Sequence, residues 1–159
     1  MSETQDILLR IFLKKIKPGR PLIGIDYGSV RIGVAVSDAA QAVAAPFKTI
    51  ARISELDDIV GSRNAGGFVI GLPLQTDGAE GETARAARLF GDRIAEKFGL
   101  PVYWADERHS SVQTDEALKA SHMRADKRRK VLDPHVAARL LQRVLDLKNT
   151  PTSSGRPAR

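Results

Sequence analysis

Two short apolar runs on either side of a polar turn restrict the fold of this chain more than any other feature. The first run is Leu22-Ile23-Gly24-Ile25, the turn is Asp26-Tyr27-Gly28-Ser29, and the second run is Arg31-Ile32-Gly33-Val34-Ala35-Val36. Runs of this length around a turn predict two antiparallel strands, each with a glycine in its interior. The segment therefore predicts a β-hairpin that holds the carboxylate of Asp26 at its turn.

Downstream of the hairpin, helical and extended patterns alternate. Further strands are predicted at 47–50, 68–72 and 102–105. A helical pattern with Ser54 as N-cap and Asp57 as capping-box partner comes before the second of these strands. A longer helical pattern, from about Glu82 to Gly99, comes before the third. Strand-helix alternation of this kind predicts parallel strands joined by crossover helices.

Two more helices are predicted in the last third of the chain. Ser110 and Ser111 are N-cap candidates for the first, and Asp133-Pro134 is the predicted start of the second. The predicted fold class is therefore α/β, with a mixed five-stranded sheet, an antiparallel hairpin at one edge and helices on both faces. The predicted domains are an N-terminal arm at 1–20, one folded domain at 21–148 and a disordered tail at 149–159.

Composition limits the class of protein. The 159 residues favour one domain, and the absence of cysteine excludes disulfides and thiolate metal sites. No apolar run reaches the ~20 residues of a membrane span, and Arg10 interrupts the apolar segment nearest the N-terminus. These features predict a cytoplasmic protein without a membrane partner, in which any metal is bound by oxygen or histidine.

Positive charge is concentrated in one stretch. The chain has 25 Lys and Arg against 19 Asp and Glu, and five positive charges fall within seven residues, on Arg124, Lys127, Arg128, Arg129 and Lys130. Contact of all five with phosphates would give a log–log salt slope of about −4 to −5 on a duplex. No aromatic residue is interleaved, so the stretch favours recognition of the nucleic-acid backbone over base stacking. A solvated surface is the alternative interpretation.

Four acidic residues stand at predicted ends or starts of elements: Asp26, Asp106, Glu107 and Asp133. In open α/β sheets, functional groups gather at the carboxyl ends of strands, and oxygen ligands suit Mg²⁺ or Mn²⁺. Each residue also has a structural explanation: Asp26 as a turn residue, Asp106 and Glu107 in a solvated loop, and Asp133 as a helix N-cap.

Four sequence blocks, taken in order, resemble the motifs of one family. The first is Gly24-Ile25-Asp26-Tyr27-Gly28-Ser29-Val30-Arg31-Ile32-Gly33-Val34-Ala35-Val36-Ser37-Asp38. The others are Val69-Ile70-Gly71-Leu72-Pro73-Leu74, Asp106-Glu107-Arg108, and Asp133 followed by Ala137-Ala138. They resemble the YqgF family of bacterial Holliday-junction-resolvase-like proteins, also called pre-16S rRNA nucleases. The resemblance spans residues 22 to 145 approximately, and it implies an RNase H-like fold with a metal-dependent nuclease centre.

The resemblance also implies roles for the acidic residues. Asp26 would be the carboxylate of the first strand, Asp106 or Glu107 the second and Asp133 the one from the last helix, together holding Mg²⁺ or Mn²⁺. The chain departs from the family pattern at His109-Ser110-Ser111, where an apolar residue and two threonines are usual, and at Gln75. These departures leave the roles of His109 and Gln75 unassigned.

The expected chemistry is hydrolysis of phosphodiester bonds. Two metal ions ~3.5–4 Å apart can activate water and neutralise the phosphoryl group with acidic ligands alone, and we expect Asp26 to bridge them. Arg31 and Arg108 are close in sequence to the acids, so we expect them either to bind substrate phosphates or to pair with the carboxylates.

Several functions remain open at this point. The expected substrates are precursor rRNA or branched DNA, and the ribosome is a further expected partner. Resolution of a junction would need two active sites and hence a homodimer. A non-catalytic nucleic-acid-binding ribosome-assembly factor with the same fold is the alternative. An actin-like phosphotransferase is disfavoured because the chain has no room for the duplicated domain.

Overall fold

The hairpin predicted near the start of the chain forms the centre of one sheet. The computed structural model describes residues 3–28, 30–74, 77–107 and 125–150, and for 125–132 it describes the backbone alone. In chain order the elements are α1 (Glu3–Lys15), β1 (Leu22–Tyr27), β2 (Ile32–Ser37), β3 (Ala44–Ile50), a 3₁₀ turn (Ile53–Glu55), α2 (Leu56–Arg63), β4 (Gly67–Leu72), α3 (Glu82–Phe98), β5 (Val102–Asp106) and α4 (Ala125–Asn149).

The five strands are ordered β3-β2-β1-β4-β5. The pairs β1–β2 and β2–β3 are antiparallel, whereas β4 is parallel to both β1 and β5. Every residue of β4 is buried, as expected for a strand covered on both faces. The predicted α/β fold class, a mixed five-stranded sheet with its antiparallel strands at one edge, is therefore confirmed.

Helices cover both faces of the sheet, and each face has its own apolar cluster. On one face α1 and α4 contribute buried side chains such as Phe12, Ala137 and Leu141. On the other face α2 and α3 contribute side chains such as Ile59 and Ile94. Each fully buried leucine, isoleucine or phenylalanine side chain contributes roughly 1.5–3 kcal/mol to stability relative to an exposed one. The alternation of strand side chains thus divides the core into two layers.

The segment predicted as an N-terminal arm contains helix α1, which packs on the sheet. Leu9 and Phe12 are buried, and the Phe12 ring lies 5.8 Å from the Tyr103 ring between centroids. Ile7, Leu8 and Ile11 remain exposed on the outer side of the helix. No helix in the described part of the chain is long and apolar enough to cross a membrane.

The prediction that Ser54 caps a helix is wrong. A 3₁₀ turn occupies Ile53–Glu55, and α2 begins only at Leu56. The carboxylate of Glu55 instead accepts hydrogen bonds from the backbone N–H groups of Ala51 and Arg52, at 2.6 and 3.0 Å. The Glu55 side chain is longer than that of Ser54 and reaches back to the amides that precede the turn, so Glu55 takes the capping role. The predicted end of α3 is confirmed, since Gly99 adopts a left-handed conformation there.

The prediction that Asp133-Pro134 starts the last helix is also wrong. Helix α4 begins at Ala125, so both residues lie in its interior. Pro134 has no N–H and cannot form one intrahelical hydrogen bond, but its φ is compatible with a helix. The basic residues at 127–130 therefore belong to the first turns of α4. The helix predicted after Ser110 and the tail at 151–159 lie outside the described residues, and the domain boundaries remain predictions.

Candidate functional site

A row of small residues brings α4 close to the centre of the sheet. A Cβ atom added at Gly24 would lie 2.7 Å from the carbonyl oxygen of Ala137, and one at Gly33 would collide with the backbone of Asp133. At Gly71 an added Cβ would meet Leu140 at 2.6 Å. These three glycines lie on β1, β2 and β4, so the absence of side chains lets one helix pack against three strands.

Asp26 lies within β1 rather than in the predicted turn. It pairs directly with Gly33 of β2, and paired residues present their side chains to the same face. Because Gly33 touches the backbone of Asp133, that face is the one covered by α4. The pairing therefore directs the carboxyl groups of Asp26 and Asp133 to the same side of the sheet.

Glu107 reaches the same place from the end of β5. Its backbone N–H donates to the carbonyl oxygen of Leu72 at 3.1 Å, which extends the β4–β5 pairing by one residue. Its carboxyl group lies over Gly71, where an added Cβ would be 2.8 Å from Oε2. The Glu107 carboxyl donates a hydrogen bond to the carboxylate of Asp26. Three separate elements thus deliver Asp26, Glu107 and Asp133.

The carboxyl groups of Asp26, Glu107 and Asp133 perturb one another's pKa values. The pKa of Glu107 is raised to about 10. Burial is the largest cause, the hydrogen bond with Asp26 and the charges of Asp26 and Asp133 add to the rise, and Arg143 opposes it. Burial also raises the pKa of Asp26, although the hydrogen bond from Glu107 opposes that rise. In the protein without a cation, Glu107 therefore holds the proton of this pair.

Asp133 completes the group at a longer range. Burial and the charge of Asp26 raise its pKa to about 6, and the positive charge of Arg31 opposes the rise. Nη1 of Arg31 is buried and makes no hydrogen bond within the described part of the chain. A buried guanidinium nitrogen without a partner has unused capacity to donate, so Arg31 is available to an anionic ligand.

Asp106, the other acidic candidate, lies on the opposite face of the sheet, which α3 covers. It pairs with Leu72, whose side chain packs with Ala84 and Ala87 of α3. Since successive strand residues alternate between faces, Glu107 points toward α4 and Asp106 does not. The backbone carbonyl oxygen of Asp106 accepts a hydrogen bond from Arg143 Nη2. The structure thus brings together three of the four predicted acids.

The donor set fits a hard divalent cation. Carboxylate oxygens are the ligands that Mg²⁺ and Mn²⁺ prefer, and a raised carboxyl pKa marks an excess of negative charge that a cation would neutralise. No three acidic or histidine side chains among the described residues have the spacing of a formed metal site. Binding of a cation would therefore require the Asp26 and Glu107 carboxyls to exchange their shared proton for metal.

The predicted nucleic-acid contacts are only partly described. Arg31 lies beside Asp133, as its effect on the Asp133 pKa shows. Arg108 and Arg124 lie outside the described residues, as do Gln75 and His109. The backbone of Lys127, Arg128, Arg129 and Lys130 forms the first turns of α4, directly before Asp133. Their roles in binding remain predictions.

Sequence reasoning missed one cation near the site. Arg143 on α4 donates to the Asp106 carbonyl and lowers the pKa of Glu107. It stands two residues after the buried pair Leu140 and Leu141, on an exposed position of the helix. Only the packing of α4 beside the end of β5 reveals its proximity, so no local motif could have indicated it.

Comparison with known families identifies the class of protein. The family model RuvX, described as Holliday junction resolvase, matches residues 20–147. The match covers β1 through α4 and therefore every element that supplies an acidic residue to the site. The chain belongs to this family, and the predicted resemblance to YqgF proteins is confirmed.

Curated relatives agree with this assignment. A protein of Roseobacter denitrificans, named "Putative pre-16S rRNA nuclease", is 38% identical over 143 residues, which cover 85% of this chain and 88% of the relative. One of the same name from Rhodopseudomonas palustris (strain BisB5) is 40% identical over 131 residues, covering 79% of this chain and 82% of the relative. These similarities extend over nearly the whole length of each relative.

Among solved structures, RuvC of Thermus thermophilus in complex with Holliday junction substrate aligns with a TM-score of 0.49 and 15% identity. The alignment covers 81% of this chain and 95% of that chain. Because the TM-score is below 0.5, the family assignment rests on the sequence comparisons alone.

Proposed function

We propose that this chain is a metal-dependent endonuclease that hydrolyses phosphodiester bonds of structured nucleic acid. The candidate reactions are processing of the 5′ end of precursor 16S rRNA and resolution of branched DNA. The observation that carries the proposal is the convergence of Asp26, Glu107 and Asp133 from three elements, with raised pKa values for all three carboxyls. Strongly perturbed carboxyls gathered in one place are typical of functional sites.

The three carboxyls would hold Mg²⁺ or Mn²⁺, which supplies an activated water and charge neutralisation at the phosphoryl group. Asp26 interacts with both Glu107 and Asp133, so it is the residue best placed to share a cation between them. Glu107 would hold a cation only in its ionised form, since metal and proton compete for the same oxygens. Arg31 would donate to a phosphate oxygen through Nη1, which has no hydrogen-bond partner among the described residues.

Substrate binding is the proposed role of the basic residues that precede Asp133. Lys127, Arg128, Arg129 and Lys130 lie within two turns of Asp133 along α4. One helix would then carry both the phosphate-binding residues and a metal ligand. It would fix the distance between the contacted nucleic-acid phosphates and the reacting phosphodiester bond. Arg108 and Arg124 are proposed to extend this contact. A cytoplasmic location, a ribosomal partner and a homodimer for paired cuts are parts of the same proposal.

A non-catalytic ribosome-assembly factor is the second candidate, because one observation favours it. The Glu107 carboxyl is hydrogen-bonded to Asp26, and the described residues form no ready metal site. A protein that never binds a cation there would keep this carboxyl pair protonated. In that case the fold and the basic helix would serve in binding alone.

The decisive experiment is cleavage by the purified protein with Mg²⁺ or Mn²⁺. The substrates are a 16S precursor fragment with its 5′ extension and a four-way DNA junction. We expect Asp26→Asn to abolish cleavage while the melting temperature stays within a few degrees, because the substitution preserves shape. Asp92→Asn, at an exposed position on α3, is the matched control and should cleave normally.

Binding of both substrates without any cleavage would favour the assembly factor over the endonuclease. Cleavage that survives Asp26→Asn would disprove the site assignment even if the enzyme class were right. Equal cleavage in EDTA would exclude metal dependence. The RNA and DNA arms decide between the two candidate reactions.

A further inference from the structure

A second surface, at the open edge of the sheet, has the composition of a nucleic-acid contact. Strand β3 is an edge strand, and four successive residues from Ala45 to Lys48 are exposed instead of alternating. The register shifts here, because Val34 pairs with Lys48 whereas Ala35 pairs with Pro46. Phe47 is therefore the extra residue of a β-bulge, a feature that redirects a side chain.

The bulge exposes an aromatic ring among cations. Phe47 is 41% exposed, although burial of such a side chain would contribute roughly 1.5–3 kcal/mol. The guanidinium carbon of Arg63, from the end of α2, lies 4.6 Å from the centroid of its ring, and Nζ of Lys48 lies 5.6 Å away. Cations at these distances interact with the face of the ring.

The carboxylate of Glu55, which interacts with Lys48, is already engaged in hydrogen bonds. Glu55 feels the charges of Lys48 and Arg52, but its strongest interactions are the hydrogen bonds from the backbone amides of Ala51 and Arg52. The hydrogen bonds hold the pKa of Glu55 below its usual value, so the group stays ionised. Lys48 and Arg63 thus place two positive charges at the Phe47 ring, and the Glu55 carboxylate is used in a turn.

We propose that Phe47, Lys48 and Arg63 form a stacking site for an unpaired nucleobase, in a single-stranded stretch that flanks the scissile bond. This inference rests on the proposed nuclease function. The ring offers a stacking surface at the edge of the protein, and every nucleobase has a face that can stack on it. A base that takes the place of one cation on the ring frees that cation to meet the adjacent phosphate.

The position of the surface relative to the acidic site supports this assignment. Thr49 pairs with Gly33, which pairs with Asp26, so one row of residues crosses the three strands. From strand spacing and rise, the Cα atoms of Asp26 and Phe47 are about 12 Å apart. Asp26 faces α4, whereas Phe47 contacts the end of α2, so a strand leaving the acidic site would pass around the edge at β3.

A tryptophan reporter tests stacking directly. Phe47→Trp should lose indole fluorescence when a single-stranded oligonucleotide binds in metal-free buffer, and RNA and DNA oligonucleotides form separate arms. Wild-type protein gives the background of Trp104, and Leu89→Trp is the matched control because Leu89 is 66% exposed on α3. Quenching of equal size in the control, or none in Phe47→Trp, would overturn the stacking site.

An affinity comparison gives a second, independent readout. Phe47→Leu should weaken binding of a junction or hairpin with a single-stranded flank by about 5- to 150-fold, the range for loss of one base–aromatic stack. Phe47→Tyr should retain the affinity, and a fully paired duplex should bind all three proteins equally. The melting temperature should change little, because leucine keeps most of the apolar contact that the partly exposed ring makes.

The outcomes separate this inference from the function on which it rests. Wild-type protein that binds neither probe would disprove nucleic-acid binding and the stacking site together. Binding that is normal in wild type and equally strong in Phe47→Leu would disprove the stacking site alone and point to a protein partner for this edge. An equal loss for flanked and fully paired probes would show a general electrostatic contact without stacking.

Discussion

The two faces of the sheet differ in their side chains, and only one of them carries the acidic site. On the face covered by α2 and α3, strand side chains such as Ile25 and Ile70 are fully buried and apolar. On the face covered by α4, glycines at 24, 33 and 71 let the helix pack against the strands, and the acidic residues lie near the strand ends. Close packing on one face therefore creates the acidic site, whereas ordinary core packing on the other supports it.

This difference decides between two acids that are adjacent in sequence. Asp106 pairs with Leu72 and belongs to the α3 face, whereas Glu107 belongs to the α4 face and hydrogen-bonds Asp26. Because strand residues alternate, one position along the chain separates a group in the site from one outside it. Paired substitutions at these positions therefore test the comparison most directly.

The largest expected effect is on catalysis. Glu107→Gln should reduce cleavage at saturating substrate at least about 100-fold, since loss of even an indirect metal contact commonly costs 10- to 100-fold. Asp106→Asn should retain activity within a few-fold, because its backbone carbonyl, which accepts from Arg143, is unchanged. The measurement is single-turnover cleavage with Mg²⁺. A greater loss in Asp106→Asn than in Glu107→Gln would reverse the assignment.

The next effect is on stability and tests the close approach of α4. Gly33→Ala places a methyl group against the backbone of Asp133, which cannot move without shifting the helix. We expect a loss of about 1–3 kcal/mol in the free energy of unfolding, the usual range for overpacking. It should also weaken cleavage, because Asp133 moves away from Asp26.

Gly61→Ala is the matched control for that substitution. Gly61 lies inside α2, and nothing lies within 4 Å of an added Cβ. Replacement of glycine by alanine in a helix should stabilise the protein by roughly 0.5–1 kcal/mol. Chemical denaturation of both variants gives the two changes with opposite sign. Equal stability of Gly33→Ala and wild type would mean that α4 does not touch the sheet at Gly33.

Much of the fold could be predicted because its signals are local. Short apolar runs predicted the five strands, and Gly99 predicted the end of α3. Apolar periodicity and glycine positions act over a few residues, so a single sequence contains them in full.

The errors arose where one local pattern has two structural outcomes. Asp133-Pro134 suits a helix start, yet α4 extends eight residues further toward the N-terminus. Ser54 suits an N-cap, yet the Glu55 carboxylate reaches the amides before it. The choice between Asp106 and Glu107, which the sequence left open, depended on the register of β4 and β5, which two distant segments set together. Each of these outcomes depends on tertiary packing, which a local sequence pattern does not contain.

The smallest expected effect is a pH dependence of stability on the acidic face. Burial raises the pKa of Glu107 from an ordinary 4.5 to about 10. Between these values the folded protein holds a proton that the unfolded chain has lost, so the free energy of unfolding decreases as the pH rises through this range. The slope is at most about 1.4 kcal/mol per pH unit, and partial exposure of the group lowers it.

Melting of the metal-free protein between pH 6 and 8 measures this effect. The melting temperature of wild type should fall more than that of Glu107→Gln, whose amide does not titrate, while Asp92→Asn should follow wild type. Addition of Mg²⁺ or Mn²⁺ should restore wild type more at pH 8 than at pH 6, because a cation replaces the proton more readily as the pH rises. Superimposable profiles for wild type and Glu107→Gln would show that no proton is held between Asp26 and Glu107. The α4 face would then lack the electrostatic character that distinguishes it from the α3 face.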